Sequence, residues 1–218
     1  MEHPPANSLP DWLQPSYLRL VAFAESLATD GVEQGLIGPR EVPRLWSRHL
    51  LNCAVVADPA AELVPIGAVV ADVGSGAGLP GLVWALARPD LKLVLIEPLL
   101  RRANFLSTAV QQLGLGEQVT VTRVRAEDLA KQSDWTGVDV VTARAVAPLD
   151  KLLGWTVPLL RPGGTIVTLK GSSAAIEVVE AGPAASAFGI KDLRIAVCGF
   201  GVVDPVTTVV LATRGAAQ

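Results

Sequence analysis

Short apolar runs alternate with amphipathic segments through most of the chain, and this alternation restricts the possible folds more than any other feature. The apolar runs, typical of buried strands, lie at residues 67–73, 91–97, 119–125, 138–144 and 165–171. Segments with helical spacing lie between or after them, at residues 80–87, 99–115, 149–160 and 174–187. Regular alternation of this kind predicts a parallel sheet covered by helices on both faces.

The last part of the chain departs from this alternation. Two strand-like stretches, DLRIAVCGFG and DPVTTVVLATR, are separated only by a few turn-like residues around Gly199 to Pro205. No crossover helix fits between them, so the pair should be antiparallel. We therefore predict an α/β fold whose mostly parallel, seven-stranded sheet ends in an antiparallel hairpin.

The first 62 residues show only helical patterns. Apolar residues recur at helical spacing over residues 11–28, and a second helix is predicted over residues 39–57. Residues 1–10 contain three prolines and little to bury, so we expect them to be disordered. The chain thus divides into a helical extension, residues 1–62, and an α/β domain, residues 63–218.

Length and composition exclude several classes of protein. The chain has 218 residues, half of them apolar, which suits one domain with a sizeable core. A net charge of −3 argues against a protein that coats nucleic acid by bulk charge. Two distant cysteines predict neither a disulfide framework nor a metal site. Without a signal-peptide pattern or a membrane-length apolar run, we expect a cytoplasmic monomer with no membrane or metal partner.

The loop ADVGSGAGLPGLV, residues 71–83, places four glycines within eight residues, so that a ligand can approach bare backbone. The phosphate-binding loop of nucleoside triphosphatases needs a Gly-Lys-Ser/Thr ending, which is missing here. A dinucleotide is the stronger alternative, because Gly76, Gly78 and Gly81 spell G-x-G-x-x-G and Glu97 follows Gly76 by 21 positions. However, Asp72 at the mouth of the loop would repel a pyrophosphate.

S-adenosylmethionine reverses that argument because its net charge is positive. Asp72 then suits the ligand, and the loop N–H groups can bind the ligand's carboxylate. Glu97, at the end of the second strand, would accept hydrogen bonds from both ribose hydroxyls. The Ala126 N–H and the Glu127 carboxylate could bind the adenine edge, or Glu127 could simply open a short helix.

These motifs carry a resemblance to a known family. The segments DVGSGAGLPG, RAE, ARAVAPL and LLRPGG…LKG, in this order and preceded by SRHLLN, resemble the RsmG family, also called GidB, over roughly residues 35–213. That family consists of bacterial small-subunit rRNA guanine-N7 methyltransferases. The resemblance implies a class I (Rossmann-like) methyltransferase fold, S-adenosylmethionine as cofactor, and 16S rRNA or the small ribosomal subunit as partner. Where many members have an Asn-Leu-Thr segment, this chain reads GLIG.

The resemblance also implies which residues contact the cofactor. From the glycine loop itself we add Asp72, Gly76 and Gly78 as further cofactor contacts. The residues implied by the resemblance are Gly74, Leu79, Glu97, Pro98, Leu99, Ala126, Glu127 and Arg144.

Methylation of guanine N7 needs neither an amine-methyltransferase motif nor a cysteine nucleophile, and the chain shows neither at the expected crevice. The N7 lone pair is free and loses no proton on methylation, so positioning can supply most of the catalysis. The place after the fourth strand reads ARAV, not the Asn/Asp-Pro-Pro-aromatic sequence of many amine methyltransferases, and neither cysteine is expected near the crevice. We expect Arg144 to be catalytic, holding guanine O6, a phosphate or the cofactor with two donors. The alternative for Arg144 is a structural salt bridge.

A rim of basic residues is predicted to face the RNA. It comprises Arg48, His49, Arg101, Arg102 and Lys170. Each of them alone could be part of a solvated charged face, and His49 could be a buried or capping histidine. Two other functions stay open from the residues: an NAD-dependent oxidoreductase, and a non-catalytic rRNA-binding assembly factor. We expect the five tryptophans to pack in the core.

Overall fold

A seven-stranded sheet organises the computed structural model, which describes residues 3–216. Its strands are Val69–Val73 (β1), Lys92–Ile96 (β2), Val119–Thr122 (β3), Val138–Arg144 (β4), Leu160–Lys170 (β5), Ile190–Cys198 (β6) and Thr207–Arg214 (β7). Their order in the sheet is β3-β2-β1-β4-β5-β7-β6. Neighbouring strands among β1–β5 are parallel, whereas β7 runs antiparallel to both β5 and β6. The predicted seven-stranded α/β fold with an antiparallel end is confirmed.

Helices cover both faces of the sheet. They are Tyr17–Ala28 (α1), Asp30–Glu33 (α2), Asn52–Ala54 (α3), Gly81–Ala87 (α4), Leu100–Gln112 (α5), Ala126–Leu129 (α6), Leu149–Thr156 (α7) and Ala174–Ala187 (α8). One core lies between the sheet and the N-terminal helices with α4 and α5. The second lies between the sheet and α6, α7 and α8. In β1, Val70 packs in the first core and Ala71 in the second, as the period of two along a strand requires.

Two boundaries differ from the predictions because of proline and glycine. The helix predicted over residues 39–57 is instead a 3-10 helix, Pro39–Arg44, a π-helix, Leu45–Leu51, and α3. Pro43 within this segment lacks the N–H that an α-helix needs. Strand β5 begins at Leu160 and runs through the RPGG sequence that was expected only to end a helix. A Cβ on Gly164 would lie 2.9 Å from the Asp139 carbonyl oxygen, so only glycine lets β5 pass there.

The predicted disorder of residues 1–10 is wrong for residues 3–10. Leu9 is buried, the Tyr17 hydroxyl donates to the Pro4 carbonyl, and the Trp46 indole N–H donates to Nδ1 of His3. Residues 1 and 2 lie outside the described residues. The helix predicted from residue 11 becomes α-helical only at Tyr17.

The N-terminal helices and α4 share buried polar contacts. The Trp84 indole N–H donates to the Cys53 carbonyl at 2.9 Å, and the Ser16 hydroxyl donates to the Leu86 carbonyl. Arg88, just after α4, donates to the carbonyls of Ala57 and Val64. All seven residues of α4 are buried, and α4 packs in one core with the sheet and the N-terminal helices. The tryptophans are buried or half-buried, with Trp84 fully so, which confirms core packing.

None of the helices in residues 3–216 is both long and apolar enough to cross a membrane. The same residues contain no group of three or more His, Cys, Asp or Glu side chains placed to hold a metal ion.

Candidate functional site

A cavity of about 590 Å³ opens at the edge of the sheet where β1, β2 and β4 end. The crevice at the carboxyl ends of parallel strands is the usual binding site of an open α/β sheet, and this volume suits a nucleoside-sized ligand. The residues that line it are Leu36, Ile37, His49, Gly74, Ser75, Gly76, Ala77, Leu79, Glu97, Pro98, Leu99, Arg102, Arg125, Arg144, Ala145 and Val146.

The glycine loop between β1 and α4 forms one wall. Gly74 has φ +68°, and a Cβ there would lie 2.9 Å from the Val146 side chain. Gly78 has φ +86°, and a Cβ there would lie 2.5 Å from Leu82, a fully buried residue. Both positions therefore need glycine for conformation and for space. The loop presents backbone to the cavity, and Gly78 shapes it without lining it.

Glu97 ties this loop to the end of β2. Its Oε2 accepts from the Gly76 N–H and its Oε1 from the Leu99 N–H, both at 3.0 Å. The side chain is only 2% exposed, and Nη1 of Arg102 lies 4.0 Å from Oε2. Each carboxylate oxygen can accept a second hydrogen bond, so Glu97 retains capacity toward a ligand in the cavity.

Asp72 does not lie at the mouth of the loop, and that expectation is wrong. It is fully buried under the loop, where Oδ2 accepts from the Gly81 N–H at the start of α4. Its Oδ1 has no hydrogen-bond partner among the described residues. Burial raises the pKa of this carboxyl to about 7. Asp72 therefore holds the end of the loop through the Gly81 N–H and does not line the cavity.

Arg144, the last residue of β4, forms a second wall. Its Nη2 donates to the Arg48 carbonyl at 3.2 Å and lies 2.9 Å from Nδ1 of His49. Its Nη1 lies 3.3 Å from Sγ of Cys53. No carboxylate in residues 3–216 forms a salt bridge with it, so the structural-salt-bridge alternative finds no support there.

The contact with Arg144 corrects one expectation about the cysteines. Cys53 was not expected near the crevice, yet its thiol lies against the guanidinium at the end of β4. The thiol is fully buried, and burial raises its pKa to about 11. It is therefore protonated at neutral pH and is not a nucleophile.

Several predicted residues lie outside the cavity. Ala126 and Glu127 begin α6 next to Arg125, which does line it. Arg101 lines a separate cleft of about 290 Å³ beside α1 and α5. Lys170 is only 9% exposed and its ammonium bonds Glu177 and the Ala147 carbonyl, so little of it faces outward. Of the predicted rim, the structure brings His49 and Arg102 to the cavity, with Arg48 beside them.

Other lining residues were not predicted from the sequence. These are Leu36, Ile37, Ser75, Ala77, Arg125, Ala145 and Val146. Arg125 follows β3 at the edge where the ligand crevice was expected, so its position in the sequence indicated that it would lie near the ligand. Leu36 and Ile37 belong to the divergent GLIG segment, whose approach to the glycine loop is a tertiary contact with no local pattern. Ala145 has φ +55°, an uncommon conformation for a residue with a side chain.

Comparison with known sequences identifies relatives along most of the chain. Residues 17–202 match the family model of rRNA small subunit methyltransferase G. A ribosomal RNA small subunit methyltransferase G from Salinispora arenicola is 58% identical over 89% of this chain and 80% of its own length. The protein of that name from Mycolicibacterium gilvum is 49% identical over 98% of this chain and 92% of its own length.

Comparison with solved structures gives the same fold at much lower identity. A predicted O-methyltransferase from Agrobacterium tumefaciens has a TM-score of 0.56 at 18% identity, covering 77% of this chain and 80% of its own. A SAM-dependent O-methyltransferase from Thermotoga maritima has a TM-score of 0.50 at 18% identity, covering 71% of this chain and 62% of its own. The architecture is thus that of Rossmann-like methyltransferases. Together with the two close relatives, the match over residues 17–202 shows that the chain belongs to the rRNA small subunit methyltransferase G family.

Proposed function

We propose that the chain is an S-adenosylmethionine-dependent methyltransferase that methylates N7 of one guanine in 16S rRNA of the small ribosomal subunit. The observation that carries this proposal is the cavity between the glycine loop and Arg144, found in a member of this family. One wall consists of loop backbone and the buried Glu97 carboxylate, which suits a cationic nucleoside. The other presents a guanidinium, which suits a base or a phosphate.

The residues of the loop wall fit the cofactor. When bound, S-adenosylmethionine supplies a methyl group on a positively charged sulfur. Backbone at Gly74 and Gly76 leaves room for close approach, and the free acceptor capacity of Glu97 suits ribose hydroxyls. The side chains of Leu79, Pro98 and Leu99 offer apolar surface to an adenine ring.

Other parts of the proposal rest on position alone. Ala126 and Glu127 adjoin Arg125 and would contact the adenine edge only from beyond the lining residues. We also propose that residues 1–62 are a helical extension and residues 63–218 the methyltransferase domain. An enzyme acting on 16S rRNA would work in the cytoplasm, and we propose that it acts there as a monomer.

The reaction requires little more than positioning from the protein. Guanine N7 has a free lone pair and loses no proton on methylation, so no general base is needed. Arg144 would hold the target guanine or an adjacent phosphate through its remaining N–H donors. Arg48, Arg102 and Arg125 surround the same opening and would attract the RNA backbone.

The test is the 7-methylguanosine content of digested 16S rRNA, measured by mass spectrometry in cells with and without the gene. We expect one modification to disappear on deletion and to return with the wild-type protein but not with Arg144→Ala. Arg19→Ala, an exposed position on α1, is the matched control and should restore the modification. An unchanged 7-methylguanosine content after deletion would contradict the proposal that 16S rRNA is the substrate. Tight RNA binding without methyl turnover would favour a non-catalytic assembly factor.

A further inference from the structure

Three side chains, two from the N-terminal segment and one from the end of β4, form a hydrogen-bonded series at the Arg144 wall. Oε2 of Glu41 lies 2.9 Å from Nε2 of His49, and Nδ1 of His49 lies 2.9 Å from Nη2 of Arg144. Glu41 belongs to the 3-10 helix Pro39–Arg44, and His49 to the π-helix Leu45–Leu51. Glu41 does not line the cavity and was not predicted as a site residue.

The chemistry of the partners determines the protonation of His49. A guanidinium has only N–H donors, so Nδ1 of His49 must accept from Arg144. The ring proton then lies on Nε2 and is donated to the Glu41 carboxylate. Burial lowers the pKa of His49, and the positive charges of Arg144 and Arg48 lower it further. The Glu41 carboxylate raises it. The hydrogen bond from His49 lowers the pKa of Glu41, which keeps that carboxylate ionised. These groups make His49 a neutral acceptor at neutral pH.

The same contacts limit what Arg144 can offer to a ligand. A guanidinium has two edges that present a pair of parallel N–H donors, and Nη2 belongs to both of them. Both hydrogens of Nη2 are used here, one by the Arg48 carbonyl and one by His49. The expected two-donor contact with guanine O6 or a phosphate is therefore not available in this arrangement. Nε–H and one Nη1–H, which have no partner among residues 3–216, remain as single donors.

We propose that Glu41 and His49 are positioning residues, which hold the Arg144 guanidinium so that it presents single donors to the cavity. This inference rests on the proposed function. Protonation of His49 would put a hydrogen on Nδ1 against the guanidinium and break the contact. The charged groups that face His49 are Glu41 and Arg48 from the N-terminal segment and Arg144 from β4. Catalysis should therefore decline as His49 becomes protonated in acid.

The first experiment measures methyl transfer to small ribosomal subunits that lack the modification, between about pH 5.5 and pH 8.5. The wild-type kcat should fall below about pH 6.5, the ordinary pKa of histidine, with a midpoint under that value. In His49→Asn we expect kcat to fall about 100-fold and the acid decline to disappear, with the KM for the cofactor within about twofold. Glu41→Gln removes a group that favours protonated His49, so its acid decline should move to lower pH.

The matched control is His3→Asn, because His3 is the other histidine of the chain and lies away from the cavity. It should keep the wild-type kcat and the wild-type acid decline. Wild-type kcat and pH profile in both His49→Asn and Glu41→Gln would overturn the inference while leaving the proposed function intact.

The second experiment needs no activity and so separates the inference from the proposed function. The ¹⁵N resonances of the His49 ring in the free protein report which nitrogen carries the proton. We expect the proton on Nε2, a lower His49 pKa in Glu41→Gln and a higher one in Arg144→Ala, since Arg144 disfavours the charged ring. A proton on Nδ1, or a pKa that neither variant moves, would overturn the inference. Failure of the wild-type protein to methylate rRNA would overturn the proposed function instead.

Discussion

The two walls of the cavity are built in different ways. The loop wall is made by nearby segments and by backbone: Glu97 accepts from the N–H of Gly76, only 21 positions earlier. The Arg144 wall is made by side chains from distant segments: Arg144 and His49 are 95 positions apart. Loop geometry therefore specifies the first wall, whereas the second exists only when the N-terminal helices are packed on the sheet. A substitution in the loop wall should therefore affect cofactor binding, whereas a substitution that disturbs the Arg144 wall should affect kcat.

The largest effect should come from breaking the loop wall with Gly78→Ala. The positive φ and the clash with Leu82 should together cost about 3 kcal/mol or more and abolish cofactor binding, which calorimetry would measure. Gly114→Ala is the matched control, because Gly114 also has a positive φ but open space around it. It should cost about 1 kcal/mol and keep cofactor affinity. Equal losses in the two variants would contradict the steric argument.

A smaller effect should follow when the link between the walls is weakened by Trp84→Phe. The indole N–H holds the Cys53 carbonyl, and Cys53 in turn lies against Arg144. Leaving this buried carbonyl unpaired should cost about 2 kcal/mol, which lowers the melting temperature by about 4–8 °C. Trp135→Phe also removes an indole hydrogen bond to a backbone carbonyl, that of Leu159, away from both walls. Only Trp84→Phe should also reduce kcat, and an equal reduction in Trp135→Phe would argue against the link.

Asp72→Asn tests the support beneath the loop through its pH dependence. The folded-state pKa of about 7 lies above the ordinary 3.8, so wild-type stability falls as pH rises from about 4 through 7. A neutral Asn escapes this loss. The melting temperature of the variant relative to wild type should therefore rise between about pH 6 and pH 7, by an amount equivalent to about 1 kcal/mol. The exposed control, Asp134→Asn, should show no such rise. A constant difference for Asp72→Asn would show that its carboxyl titrates normally.

The smallest effect is expected at the opening, for Arg102→Ala. This side chain is 43% exposed and lies 4.0 Å from Glu97, so its charge is largely screened. RNA affinity should fall about threefold, and the slope of log affinity against log salt should decrease by about one. Arg123→Ala, an exposed position beyond the cavity, should leave the salt slope unchanged. An unaltered slope in Arg102→Ala would remove Arg102 from the RNA-facing residues.

The sequence predicted the loop wall well because its signals are local. The glycine spacing and the acid after β2 follow from the motif and the strand pattern, which also put Arg144, of the other wall, at the end of β4. The error at Asp72 was avoidable. Val70 and Asp72 lie on one face of β1 by the period of two, and Val70 packs in the core that contains α4. That alternation places Asp72 under α4 and not at the loop mouth.

The remaining parts of the site could not be predicted in this way. The contact between Glu41 and His49 depends on a 3-10 helix and a π-helix where the apolar spacing predicted one α-helix. The approach of Leu36 and Ile37 to the cavity depends on how the N-terminal helices pack. The order of residues 3–10 depends on the burial of Leu9, one apolar side chain among prolines. Each is decided by tertiary packing, which composition and periodicity do not encode.

Strand β7 has a consequence for biosynthesis, because it lies between β5 and β6 although it follows both in the chain. Until residues 207–214 have emerged from the ribosome, β6 has no neighbour in the sheet and β5 keeps an open edge. Open edges can recruit strands from other nascent chains, and β6 carries exposed Ile195 and Val197. The cofactor loop, β2 and β4 are all translated earlier. The binding cavity can thus begin to assemble before β7 joins the sheet, and the insertion of β7 then covers the open edge of β5 and one of the two edges of β6.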